Sequence, residues 1–211
     1  MFREFLIEEP AEKLRTLLVM IPNVSQVTSR ISERMVEVGK FTQYSKVVMH
    51  FLPDILLSDE LGDGYLPGLE LYKPSKGSEV QLGIITSKLQ INQLPVPYSY
   101  WLAEYIVRKA KALSSSFIIT VSDFDYIRPG VRFFASSREL AKNVMESCDI
   151  KPVRKSYFYG VSSLIVPVSK LYKINAVSLV SLITKETQPQ VLINAFNSLL
   201  RLLEFAETPT K

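Results

Sequence analysis

The sequence predicts an α/β domain with a mostly parallel or mixed sheet covered by helices on both sides. Continuous apolar runs such as Thr16-Leu17-Leu18-Val19-Met20-Ile21 read as strands buried on both faces. Amphipathic segments with helical spacing alternate with them, as in Val27, Ile31, Met35 and Val38. No internal repeat and no linker-like stretch divides the 211 residues, so positions 1–211 read as one domain.

The elements follow in order. The strand over 16–21 stops at Pro22, and Asn23 or Ser25 caps a helix over 26–38 that Gly39 ends. A second strand spans 44–51 before Pro53. From 54 to 78, Gly62, Gly64, Gly68 and Gly77 with Pro67 and Pro74 punctuate short segments, a density that gives turns and antiparallel strands. A central strand over 80–86 precedes a helix over 98–113, with Arg108, Lys109 and Lys111 at the negative end of its dipole. Another core strand covers 116–121. The Pro129-Gly130 turn leads into 131–135, and Ser137 caps a helix over 138–148. A last strand spans 174–184, and a helix opens at Pro189, where a missing N–H costs nothing.

Composition excludes several function classes. With 47% hydrophobic residues and a net charge of only +4, the chain buries a sizeable core and is not intrinsically disordered. Cys148 is the single cysteine, so no disulfide forms within the chain, which suits a reducing compartment. His50 is the single histidine. A zinc site of His and Cys ligands is therefore unavailable, and any triad with a histidine base must use His50. The sequence pI of ≈ 9.0 comes from dispersed basic residues rather than a stripe, so a nucleic-acid partner is not expected. The first ten residues carry Arg3, Glu4, Glu8 and Glu9, too much charge for a signal-peptide core. The most apolar stretch, 157–184, is broken by Pro167, Lys170 and Lys173 and falls short of the ~20 residues of a membrane span. A cytoplasmic protein with no membrane partner is expected.

Candidate chemistry is sparse. The turn after the first strand, Ile21-Pro22-Asn23-Val24-Ser25-Gln26, lacks the glycines of a phosphate loop and reads as a capped helix start. Asp54, Asp59, Glu60 and Asp63 cluster, with Glu12 and Glu70 able to join, but their spacing fits turns better than a metal site. Asp123, Asp125 and Arg128 follow a core strand at the edge where open α/β sheets bind ligands, and form the candidate ligand loop beside an ordinary turn reading. His50 reads as structural and Cys148 as a small buried hydrophobe. Lys151, Arg154 and Lys155 with Tyr157, Phe158 and Tyr159 mix charge and aromatics, a weak RNA-binding signature that a surface loop also explains. No catalytic constellation, metal site or cofactor motif emerges.

The last helix offers another kind of signal. Phe196, Leu199, Leu200 and Leu203, with Val191, Leu192, Ile193, Leu202 and Phe205, cover more than one narrow stripe. Part of that surface is expected to seek a partner, which makes these residues the candidate oligomer helix.

The succession as a whole resembles the proteasome assembly chaperone 2 family, whose prokaryotic members are widespread in archaea. The resemblance rests on the apolar first strand with its proline turn and helix (17–38), and on Asp63-Gly64 followed by Pro67 and Leu69-Glu70-Leu71-Tyr72. The central strand and long helix (80–113), the Pro-Gly turn into an aromatic strand and capped helix (128–148), and the closing strand and proline-started helix (159–205) complete it. It implies a three-layer α/β/α sandwich similar to nucleoside phosphorylases, non-enzymatic assembly work without a cofactor, and self-association or pairing with a related chain. Proteasome α subunits are implied as further partners. Family members usually carry glycines in the first turn, absent here from 22–28. They often dock by a C-terminal hydrophobic–Tyr–any motif, whereas this sequence has Thr210 in the tyrosine's place, so tail insertion is not expected. A nucleoside- or phosphate-binding enzyme on the same architecture is the alternative, with Asp123, Asp125 and Arg128 as its site.

Overall fold

In the computed structural model, the residues described are 2–8, 13–22, 27–50, 57–58, 64–65, 68–75, 81–89, 91, 94–125, 129–153, 157–184 and 188–207. An eight-stranded mixed sheet runs through the molecule in the order β1-β3-β6-β7-β2-β8-β10-β9. Its strands are β1 (Phe2–Leu6), β2 (Thr16–Met20), β3 (Phe41–Met49), β6 (Gly68–Pro74), β7 (Leu82–Thr86), β8 (Phe117–Asp125), β9 (Gly130–Ala135) and β10 (Asn175–Ile183). Two short strands, β4 (Leu57–Ser58) and β5 (Gly64–Tyr65), pair separately. The helices are α1 (Val27–Val38), α2 (Tyr98–Ala112), α3 (Arg138–Cys148), α4 (Val161–Leu171) and α5 (Gln188–Glu207).

The centre is parallel, β7-β2-β8-β10, so these four strands deliver their carboxyl ends to one edge. Antiparallel strands flank it: β6 pairs with β7, β3 with β6, β1 with β3, and β9 with β10. The uninterrupted burial of β2 and β7 follows from this position, because helices cover both faces of a central parallel strand.

Side-chain alternation sorts the core into two halves. Leu18, Met20, Ile84, Ile119, Val121, Val177 and Leu179 meet Val27 and Ile31 of α1, Val144 of α3 and Leu199 of α5. Leu17, Val19, Ile85 and Ile118 point the other way, onto Leu102 and Ile106 of α2 and Val161 and Ile165 of α4. The result is three layers, helix–sheet–helix.

Two elements lie outside the sequence reading. β1 is a charged-looking segment that pairs antiparallel with β3, its Phe2 and Glu4 turned to the α2 side. α4 occupies part of the apolar stretch at 157–184, where the sequence reading places no element before the strand at 174. Val161, Ile165 and Val168 fall one turn apart on its buried face, while Pro167 points to solvent. Burial against the sheet overrides the poor helix propensity of its β-branched residues and proline. β8 also runs further than the strand read over 116–121, through Asp125.

Candidate functional site

The sheet's carboxyl edge gathers the polar residues of the core. Asp123, two residues before the end of β8, is fully buried and faces α1. Thr28, in the first turn of α1, donates a 2.5 Å hydrogen bond from Oγ1 to Asp123 Oδ1. A negative group beneath a helix N-terminus also meets the positive end of the helix dipole. Ser181 of β10 is the registered neighbour of Asp123 and is equally buried. On the opposite face, Thr120 of β8 donates from Oγ1 to the Ser162 carbonyl of α4 at 3.3 Å. The small Ser122 and Ser178 lie on that side too, where their size suits a close approach of helix to sheet.

Of the candidate ligand loop, Asp123 thus sits within a strand under α1. Arg128 and the side chain of Asp125 lie outside the described residues. So do Glu12, Asp54, Asp59, Glu60 and Asp63, the carboxylates grouped in the sequence, and Arg154 and Lys155. Tyr157 and Tyr159 are solvent-exposed, whereas Phe158 stacks 5.9 Å from Phe134 and edges Phe124 at 5.0 Å. His50 is exposed at the end of β3. Cys148 is buried, and its environment pushes the thiol up to about 11, chiefly by desolvation.

A cavity of ≈ 370 Å³ opens between α1 and the β6–β7 pair. From α1 it receives Ser29, Ser32, Glu33, Val36 and Glu37, spaced three and four apart and so on one helical face. From β6 come Glu70 and Tyr72, and from the end of β7 Thr86 and Ser87, with Lys88 following. Glu70 is only 7% exposed, and Tyr72 donates to its Oε2 at 2.9 Å. Burial raises the Tyr72 phenol well above its usual value, and the Glu70 charge adds to the effect. The signal was the alternation in Leu69-Glu70-Leu71-Tyr72, which puts the polar pair on one face. That α1 would face it depends on the crossover, which no local pattern specifies.

On the outside of the same helical layer, α5 divides its apolar residues. Leu199 and Leu203 are core residues, Phe196 is half-buried, and Leu200 is 40% and Ile193 55% exposed. A shallow groove of ≈ 240 Å³ between α1 and α5 is lined by Arg30, Arg34, Leu192, Ile193 and Phe196.

This layer order and strand arrangement is that of the proteasome-assembly-chaperone homologues known from archaea and bacteria. The chain superposes on Pyrococcus furiosus PbaB, an archaeal proteasome activator, with a TM-score of 0.80 at 16% identity, over 96% of this chain and 89% of that one. Pyrococcus furiosus PbaA, an archaeal homologue of proteasome-assembly chaperone, gives a TM-score of 0.76 at 17% identity, over 97% and 86%. A PAC2 family protein of Streptomyces avermitilis gives 0.67 at 12% identity, over 90% and 86%. No family model matches the chain, and no curated protein matches it by sequence. Among the described residues no helix is long and apolar enough to cross a membrane.

Proposed function

We propose that the protein works by binding other protein chains, as a non-enzymatic assembly factor of the kind its fold neighbours represent. The first partner is a second copy of itself or a related chain, and proteasome α subunits are the client. It acts in the cytoplasm. The observation that carries this reading is the surplus apolar surface of α5. Ile193 and Leu200 stay exposed beside the α1 groove after Leu199 and Leu203 have satisfied the core. Exposed leucine and isoleucine next to half-buried Phe196, rimmed by Arg30 and Arg34, make the apolar centre and polar border of a docking patch. The names of the fold neighbours, an activator and assembly chaperones, point the same way.

The alternative, an enzyme acting on a phosphorylated compound, finds less support. The cavity at the carboxyl edge presents Glu33, Glu37 and Glu70, which repel phosphate.

Light scattering coupled to gel filtration tests the proposal. The expected mass exceeds the 24.0 kDa of one chain, and Ile193→Glu with Leu200→Glu reduces it to the monomer while circular dichroism stays unchanged. A wild-type protein that remains monomeric, and does not co-elute with proteasome α subunits from its own host, overturns it.

A further inference from the structure

The two edges of the sheet differ. β9 is covered by the segment over 151–153: the Phe133 N–H donates to the Lys151 carbonyl at 3.2 Å, the Val153 N–H donates to the Phe133 carbonyl at 2.8 Å, and Pro152 makes the bridge. Among the described residues β1 has a neighbour on one side only, β3. The Ile7 N–H donates to the Tyr44 carbonyl at 2.9 Å, so the odd-numbered residues of this segment turn their backbone groups toward β3. The N–H and C=O groups of Glu4 and Leu6 therefore point out of the sheet, with no partner among the described residues. Natural sheets blunt such an edge with lysine, proline or a bulge. Positions 1–8 contain no lysine, proline or glycine, and β1 pairs with β3 in unbroken register.

The open edge adjoins a groove. On the α2 side, ≈ 270 Å³ of space is bounded by Phe2 of β1 and by Trp101, Glu104, Tyr105 and Arg108 of α2. Trp101 is 38% exposed and Phe2 stacks on the Tyr105 ring, so aromatic surface lies directly beside the unpaired backbone. Leu6, on the same side of the strand by alternation, is 64% exposed. The opposite side carries exposed Phe5 and Arg3, whose guanidinium sits 5.0 Å from the Phe5 ring centroid. Among the described residues Arg3 has no carboxylate partner. Glu4, by contrast, is held by Lys109, Ser45 and Tyr105, and Glu104 pairs with Arg108 at 2.7 Å. The charge that this edge leaves for a neighbouring strand is therefore positive.

We infer that β1 accepts an extended segment of a partner protein as an additional strand, one that alternates apolar with acidic side chains. Its backbone pairs with Glu4 and Leu6, its apolar side chains lie along Phe2 and Trp101, and a carboxylate on its other side meets Arg3. A second copy of β1 is a poorer match, because its Glu4 is already committed to Lys109 and brings no free carboxylate to Arg3. The edge is separate from the α5 patch, so the inference stands or falls independently of self-association.

Trp101 is the only tryptophan of the chain, so its fluorescence reports on the groove directly. The full chain is titrated with a short peptide that alternates leucine and aspartate, and a saturable change with Kd of about 10–100 μM is expected. A peptide of the same composition with its leucines and aspartates in separate blocks, and one alternating leucine with lysine, should bind at least about fivefold more weakly. Only every second peptide N–H faces β1, so N-methylating one alternate set should abolish binding while methylating the other set preserves it. Leu6→Pro removes an outward-pointing donor and leaves the β1–β3 bonds alone; it should weaken the peptide about tenfold with little change in Tm. Arg3→Glu should reverse the preference between the aspartate and lysine peptides, a readout that does not depend on Leu6→Pro folding. The inference is overturned if the aspartate peptide does not bind, if both N-methylated forms behave alike, or if Arg3→Glu leaves the preference unchanged. A lower native mass for the Leu6→Pro chain in light scattering overturns it as well, since the edge would then belong to a second copy.

Discussion

Lys109 Nζ on α2 lies 2.5 Å from Glu4 Oε1 on β1, so one ion pair fastens the edge strand to the helical layer. Ser45 Oγ donates to the same oxygen at 2.8 Å, Tyr105 donates to Oε2 at 3.2 Å, and Phe2 stacks 4.9 Å from the Tyr105 ring. The strand needs such an anchor, because Phe5, Leu6 and Ile7 remain exposed at the sheet edge.

That anchor makes β1 acid-sensitive. Burial raises the Glu4 carboxyl, but hydrogen bonds from Lys109, Ser45 and Tyr105 and the Lys109 charge outweigh it, and the net shift is downward. A group depressed in the folded state contributes stability that is present above its ordinary value of 4.5 and lost as pH falls through the lower folded value. Hydrogen exchange should therefore show β1 amides losing protection on acidification below that value, while β2 and β8 stay protected. Lys109→Met should cost about 1.5–3 kcal/mol in urea unfolding. β1 protection that survives both acid and Lys109→Met would remove the anchor role.

The Thr28–Asp123 bond joins the start of α1 to the end of β8 inside the core. Thr28→Val preserves shape and deletes the donor, leaving a fully buried carboxylate with one bond fewer. The expected loss is about 1–3 kcal/mol. Thr28→Ser keeps a hydroxyl and should lose less. A Thr28→Val variant as stable as wild type would show that the hydrogen bond contributes nothing.

Local chemistry made much of this architecture legible. Ser137 was readable as a cap because its hydroxyl precedes an amphipathic run, and it accepts from the Leu140 N–H at 3.1 Å. The apolar run at 16–21 announced a doubly covered strand, and β2 sits at the middle of the sheet. What stayed hidden depends on long-range partners. α4 combines Gly160, Pro167 and β-branched residues, and becomes helical because Val161, Ile165 and Val168 find the sheet and α2. Glu70 is ordinary in its own strand, and acquires its character only when α1 brings Glu33 and Glu37 across from it. Leu199 and Leu200 are adjacent and chemically identical, yet one is core and the other surface. Only the rotation of α5 against the sheet distinguishes them.

Two glycines in strands should differ in their tolerance. A Cβ on Gly68 would lie 2.2 Å from the Val47 carbonyl oxygen, a backbone atom of the paired strand β3. A Cβ on Gly83 would meet Leu14 Cδ1 at 2.6 Å, the end of a side chain that can rotate away. Gly68→Ala should therefore cost about 3 kcal/mol, at the upper end of overpacking effects, and Gly83→Ala about 1 kcal/mol. Chemical denaturation of both variants checks the ranking, and a reversed order would contradict the β3–β6 register.

Cys148 closes α3 against α5 and should be inert in the native protein. Its side chain points into the core, with Sγ 3.7 Å from the Arg201 carbonyl oxygen, while the Arg201 guanidinium donates to the Cys148 carbonyl at 3.2 Å. Desolvation raises the thiol, the Arg201 charge lowers it, and Glu204 raises it again, leaving it at about 11. At pH 8 roughly one molecule in a thousand then carries the reactive thiolate. Iodoacetamide labelling followed by mass spectrometry should therefore be negligible in buffer and complete in urea. Its rate under intermediate conditions should follow unfolding of the α3–α5 pair rather than reagent concentration. Rapid first-order labelling of folded protein, at the pace of an unstructured cysteine peptide, would mean that α5 does not seal this site.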